Sequence, residues 1–179
     1  MFLKALKEKL KYKSGLKYLR QELESSNTEL IRGNKGIRSI GCIVDLDAFD
    51  DVNLLHDFID DYSLRPNAVK IIGYKSFYDK NSPYSTPVFS DKDLGWNGKI
   101  ENSYALEFIS REYDMLINYY TEEKLMLQLM SVKTRARIKV GFGEIDKKYN
   151  DLILNTPIKD FLTFKKELKK YLHILNEIE

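Results

Sequence analysis

The stretch Glu112-Tyr-Asp-Met-Leu-Ile-Asn-Tyr-Tyr-Thr-Glu-Glu-Lys-Leu-Met-Leu-Gln-Leu-Met-Ser-Val-Lys-Thr-Arg-Ala-Arg-Ile-Lys-Val-Gly-Phe142 decides the fold. Asp114 to Tyr119 and Arg137 to Phe142 are apolar runs of strand length. Between them Leu125, Leu129 and Val132 recur at the spacing of one helix face. Thr121 stands where an N-cap belongs, and Glu122 and Glu123 follow in the first turn, where the helix dipole favours anions. The pattern predicts a strand, a helix from Thr121 to about Thr134, and a second strand. Two parallel strands with a right-handed crossover follow from it.

The same rhythm recurs upstream. Ser39 to Asp45 is a compact apolar run of the kind buried in parallel sheets. A helix is expected from about Val52 to Tyr62, with Leu55, Phe58, Ile59 and Tyr62 inward and Arg65-Pro66-Asn67 as its breaker. Ala68 to Tyr74 reads as the next strand, and Asn102 to Arg111 as a helix with Leu106 and Ile109 inward. Tyr149 to Leu154 suits a short edge strand. Pro157 opens a last helix reaching about Glu177, with Phe161, Phe164, Leu168, Leu172 and Leu175 as its apolar stripe. The expected fold is therefore α/β: a three-layer domain over 39–179, with a mostly parallel sheet of about four or five strands and helices on both faces.

Residues 1–38 stand apart as a basic N-terminal helix and linker. They hold ten Lys/Arg against four Glu, whereas the rest of the chain holds 19 against 23. Leu3, Leu6, Leu10, Leu16, Leu19 and Leu23 recur at helical spacing, with Lys13 interrupting the stripe and Ser14-Gly15 a potential bend. Lys4, Lys7, Lys11, Lys13, Lys17 and Arg20 are the candidate contacts to a polyanion, either RNA or an anionic membrane face. The plainer reading is a helix docked on its own domain with solvated lysines outward.

A chain of 179 residues is one domain by default and buries enough surface to need no staple. A single cysteine, Cys42, excludes an intrachain disulfide and any multi-cysteine metal site. Its apolar neighbours make it an inert core thiol. No run approaches a transmembrane span and no signal-peptide core is present, which fits a cytoplasmic setting. Residues 75–101 are the least regular part, with Pro83, Pro87, Gly95 and Gly98 among Phe77, Tyr78, Tyr84, Phe89 and Trp96. Its aromatics argue for an ordered flap, or for a surface that takes a protein partner.

The sharpest chemical pattern is Ile43-Val-Asp-Leu-Asp-Ala-Phe-Asp50, two carboxylates two residues apart beyond a buried strand. Such a pair can share a divalent metal or divide nucleophile and acid–base roles. The string resembles the first metal motif of lesion-bypass DNA polymerases. Asp50 replaces their second aromatic, however, and the chain lacks their Ser-x-Asp-Glu. It also resembles the Asp-x-Asp-x-Thr/Val motif of haloacid-dehalogenase-like phosphatases. That resemblance implies Asp45 as nucleophile and Asp47 as general acid–base, with Asn118 or Thr121 at the second motif and Lys133 or Lys139 as the lysine. Phe49 departs from the Thr/Val place, and Asp146 matches the late acidic motif poorly. An EF-hand loop fails at Phe49, Asp50 and His56. The plainer reading makes Asp50 and Asp51 caps of the next helix.

Gly141-Phe-Gly143 lacks phosphate-loop spacing and reads as a strand-end turn. His56 and His173 lie far apart and read as surface residues. Lys133, Arg135, Arg137 and Lys139 form a second basic cluster, in which Arg137 and Lys139 would share one strand face.

Taken whole, the chain resembles an uncharacterised family of small cytoplasmic proteins from Bacteroidota. The residues that carry this are Met1-Phe-Leu-Lys-Ala-Leu-Lys7, Phe89-Ser-Asp-Lys-Asp-Leu-Gly-Trp96, Asp114-Met-Leu-Ile-Asn-Tyr-Tyr120 and Val140-Gly-Phe-Gly143. The family brings no activity. Position alone nominates a ligand site beyond the carboxyl ends of the strands: Asp45, Asp47, Tyr74, Lys75, Asn118, Tyr119 and Phe142, with Trp96 above them. The sequence implies no cofactor and no metal. The leading expectation is a non-catalytic binding protein that docks by its basic helix, with RNA or the ribosome ahead of a membrane surface. The alternatives are magnesium-dependent phosphoryl transfer at Asp45 and Asp47, and a protein-interaction module built on residues 77–96.

Overall fold

The computed structural model describes residues 2–25, 35–79 and 81–178; part of the expected linker, 26–34, lies outside them. Six strands form one sheet: β1 (Ile40–Asp45), β2 (Val69–Tyr74), β3 (Val88–Phe89), β4 (Glu112–Tyr119), β5 (Arg135–Phe142) and β6 (Leu152–Leu154). Their order is β3-β2-β1-β4-β5-β6, and every neighbouring pair is parallel. This is a doubly wound arrangement. The α/β class is as expected, and the strand number is one or two higher.

The additional strand is β3. It is only two residues long and lies inside the irregular 75–101 stretch, where no alternation of side chains announces it. The stretch is otherwise ordered by tight turns at 91–93 and 96–98.

The five helices are α1 (Phe2–Ser25), α2 (Asp57–Asp61), α3 (Ser103–Ile109), α4 (Leu125–Lys133) and α5 (Phe161–Ile174). One core joins the sheet to α1, α3 and α4, and the other joins it to α2 and α5. Strand alternation divides β1 between them. Cys42 and Val44 face the α5 side, and Ile43 faces the α4 side. Cys42 is fully buried, and burial pushes its thiol far above the ordinary range.

Helix α4 is buried on every side: Leu125 to Ser131 are all buried, the polar Gln128 and Ser131 among them. The sheet covers one face and α1 covers another. Helix α1 packs on α4 at Gly15, where a Cβ would stand 3.2 Å from Leu125 Cδ2. A glycine inside a helix costs about 1 kcal/mol, which this packing offsets. The helix runs through Ser14-Gly15 without a break. Lys133 Nζ stands 3.9 Å from the centre of the Tyr18 ring and ties the two helices further. Asn97 and Gly98 both adopt left-handed backbone, letting the 96–98 turn press against Tyr18 while Asn97 N–H donates to Ser14 Oγ.

Several local expectations are corrected. Helix α4 begins three residues later than expected; its N-cap position is Lys124, not Thr121. Asp51 holds an N-cap position but makes no side-chain capping bond. On α3 the buried residues are Ala105 and Phe108, and Leu106 is exposed. Leu175 is likewise exposed, beyond the end of α5. Arg137 and Lys139 do not act on one face: Lys139 Nζ donates to Ser131 O on α4, whereas Arg137 meets Glu177 beyond α5. Paired Tyr113 and Ala136 lie in the α4-side core, and paired Met115 and Ile138 in the other. Alternation therefore slips between those pairs, which turns Arg137 over. Gly141 and Gly143 keep ordinary backbone; Asn150 and Asn155 approach them too closely for a side chain.

Arg137 fastens the ends of the core. Its guanidinium donates to both Glu177 oxygens at 2.6 and 2.7 Å and to Gly36 O at 3.0 Å, and Gly36 N–H donates back to Glu177. The Arg137 hydrogen bonds hold the Glu177 carboxyl below its ordinary range. Arg137→Met should therefore lower unfolding stability by about 3–5 kcal/mol, because it leaves a buried carboxylate unpaired. In Glu177→Gln, the part of the acid dependence that sets in below about pH 4.3 should disappear. Urea titrations across pH measure both.

Candidate functional site

The strand order reverses between β1 and β4, and ligands of open α/β sheets bind outside the carboxyl ends at such a point. Asp45 is the last residue of β1 and is fully buried. Its Oδ2 accepts from Lys124 Nζ at 2.6 Å, and its Oδ1 accepts from Asp47 N–H at 3.1 Å. Asp47 Oδ2 in turn accepts from Ser76 N–H at 2.9 Å, just past β2. Lys124 Nζ lies 4.0 Å from Asp47 Oδ2, 3.6 Å from Glu122 Oε2 and 5.0 Å from the Tyr74 ring centre. Leu46 packs onto Gly73, where a side chain would collide with it.

The electrostatics follow from this geometry. Partial burial pushes the Asp47 carboxyl upward, but the Ser76 hydrogen bonds, Lys124 and Lys75 outweigh it and hold the group below the ordinary range. Burial works against the Lys124 ammonium as well, and the Asp45 hydrogen bond and charge overcome it, so the group titrates above its usual value. Burial also pushes the Tyr74 phenol far upward. The two carboxylates converge, but on an ammonium and on backbone N–H groups. Both oxygens of Asp45 are engaged. Among the described residues, no group of three His, Cys, Asp or Glu is placed to hold a metal ion.

Of the residues nominated from sequence, Asp45, Asp47, Tyr74 and Lys75 share this crevice. Asn118 lies deeper in a polar network, its carboxamide 2.8 Å from that of Asn150 and 2.8 Å from Ser131 Oγ. Tyr119 and Phe142 turn into the α5-side core, and Tyr119 donates its hydroxyl to Ile158 O. Trp96 belongs to the turn seated on α1. Thr121 lies in the turn before α4. Asp146 caps the short turn at 147–149, and His56 and His173 are exposed. Sequence reasoning missed Lys124 and Ser76. The signal for Lys124 was a lysine immediately before a largely apolar helix.

The second basic constellation is on α1. Lys4, Lys7, Lys13, Lys17 and Arg20 are exposed. Lys11 is committed internally, donating to Leu94 O at 3.2 Å with Glu101 Oε2 at 4.0 Å. Leucines 16, 19 and 23 pack on the body, with Leu19 buried, while Leu3, Leu6 and Leu10 are exposed. The apparent single leucine stripe is thus two stripes on different faces. No described helix is long and apolar enough to cross a membrane.

Residues 11–175 match the model of a family of unknown function, DUF6913. The chain belongs to that family. A search of curated proteins and a search of solved structures each found no match. The DUF6913 match begins at Lys11, so the exposed turns Phe2–Leu10 lie outside it.

Lys124→Met should cost about 3–5 kcal/mol in urea unfolding, since it strands the buried Asp45 charge. Adding Asp45→Asn to the same chain should recover a large part of that loss; simple additivity of the two changes would contradict the pairing. For Asp47 the sign is set by its lowered value. Its contribution is present above about pH 3.9 and is lost as pH falls through the folded value, so Asp47→Asn should flatten the stability profile there.

Proposed function

We propose that this protein is a non-catalytic peripheral module that seats the outward face of α1 on an anionic lipid surface. The observation that carries the reading is one stripe. Residues 3, 6, 10, 13, 17 and 20 step alternately by three and four, which keeps them on a single helix face. The stripe is Leu3, Leu6, Leu10, then Lys13, Lys17, Arg20, all exposed. Phe2 and Leu3 are 80% and 79% exposed at its tip.

The body of the protein packs on other faces of α1, through Gly15, Leu19 and Lys11. A flat surface can therefore approach the stripe along its length. Complete burial of a Leu or Phe side chain is worth about 1.5–3 kcal/mol, and each basic residue near an anionic bilayer adds about 1 kcal/mol. The two signals together meet what stable peripheral binding requires. RNA would engage Lys13, Lys17 and Arg20 equally well, but it would leave Leu3, Leu6 and Leu10 in water. That difference reverses the order of partners suggested by charge alone.

Co-sedimentation with phosphatidylglycerol vesicles should recover the protein, with recovery falling steeply as salt rises, and phosphatidylcholine vesicles should recover little. Leu6→Glu should abolish recovery with little change in the melting temperature, because Leu6 is an exposed residue of α1. Removal of residues 2–10 should do the same. Equal recovery on the two lipids, or RNA binding that survives Leu6→Glu while vesicle binding never appears, would overturn the reading.

A further inference from the structure

A second site lies away from α1 and from the Asp45 crevice. Between Tyr78 with residues 82–88 on one side and the start of α3 on the other is an open cleft of about 460 Å³, within the range of small-molecule sites. Asp93 lines it and is only 5% exposed. Its Oδ2 accepts from Ser90 N–H at 2.9 Å, Asn102 Nδ2 at 3.2 Å and Tyr78 Oη at 3.4 Å. Among the described residues, every hydrogen bond to this carboxylate falls on Oδ2.

Three tyrosines also line the cleft. Tyr78 and Tyr84 stand edge-to-face, with ring centres 6.1 Å apart at 77°, and Tyr104, an exposed side chain, lines the cleft as well. No Lys or Arg is among the described residues that line it. Glu101 is at the rim, 4.0 Å from Lys11 Nζ.

We infer that this cleft is a binding site for a small organic cation, an alkylated ammonium group set against the wall of Tyr78, Tyr84 and Tyr104 beside the Asp93 carboxylate. A carboxylate fixed by three donors is a preset negative charge, and burial strengthens its attraction for a cation. Tyrosine faces attract an ammonium through the ring quadrupole. A neutral ligand would gain only area from the same walls, and an anion would be repelled by Asp93. The hydroxyl-bearing rim at Ser82, Ser85 and Ser103 keeps the mouth wet and suits a ligand with a polar tail.

Titration calorimetry on the full chain, with choline as probe and its neutral tert-butyl analogue as control at matched ionic strength, tests the inference. Choline should bind saturably, and the neutral analogue roughly tenfold more weakly or not at all. Tyr84→Leu and Tyr104→Leu, both partly exposed, should each weaken choline several-fold without loss of fold. Asp93→Asn should weaken it further, its circular dichroism being checked because Asp93 also caps the 91–93 turn. Equal affinity for the neutral analogue, saturable glucose binding without choline binding, or no saturable heat with choline would each overturn the proposal. Binding unchanged in Tyr84→Leu and Tyr104→Leu would do so too. Phosphatidylcholine itself displays choline, so Leu6→Glu separates the two readings: it should abolish recovery on phosphatidylglycerol vesicles and leave choline binding unchanged.

Discussion

Helix α4 has no side that water can face, and this constraint governs the rest of the molecule. From Leu125 to Ser131 every residue is buried. One side is met by the sheet. The other has to be met by something, and the second half of α1 meets it. That requirement accounts for Gly15 at the crossing, for Lys133 over Tyr18, and for the backbone of the 96–98 turn pressed into the same corner. It also fixes the start of α4. The helix cannot begin until Lys124, whose ammonium reaches back to Asp45 at the end of β1. A packing demand in one layer thereby sets the electrostatics at the sheet's switch point.

At that switch point the chain holds two carboxylates and neutralises them internally. A buried aspartate bonded at both oxygens, beside a lysine that contacts it at 2.6 Å, is an arrangement that supports the joint between β1, β2 and α4. Asp45 lies in the place where α/β folds offer a ligand room, yet its charge is consumed by a neighbour. The more open chemistry lies at the periphery: the outer stripe of α1 and the tyrosine-lined cleft beside β3. The outer stripe of α1 uses residues that the core has no need of, whereas Asp93 in the cleft also caps the 91–93 turn.

The sheet was legible because its long strands are written as apolar runs. Ile40–Val44, Val69–Tyr74 and Leu116–Tyr119 need no partner information to be seen as buried. β3 was not legible, since two residues carry no period, and only pairing with Gly73 and Tyr74 defines it. Helix starts shifted where side chains were engaged at long range. Thr121 has the chemistry of a cap, but Lys124 is held 79 residues away by Asp45, and that contact set the boundary. The Asp45/Asp47 pair was visible as a motif, while its partners Lys124 and Ser76 were not, because they arrive from other strands' ends. The α1 leucines misled for a simpler reason. Leu16 follows Leu10 by a step of six positions, which carries the second triplet round to another face of the helix.

The lone sulfhydryl gives the fold an internal clock. Cys42 sits mid-strand in β1, with β2 on one side and β4 on the other, and no solvent reaches it. A maleimide can capture it only when the middle of the sheet parts. Fraying of α1 or of the edge strands leaves it untouched. The pace of its labelling therefore times the rarest opening of the molecule, separately from the frequent loosening of its margins.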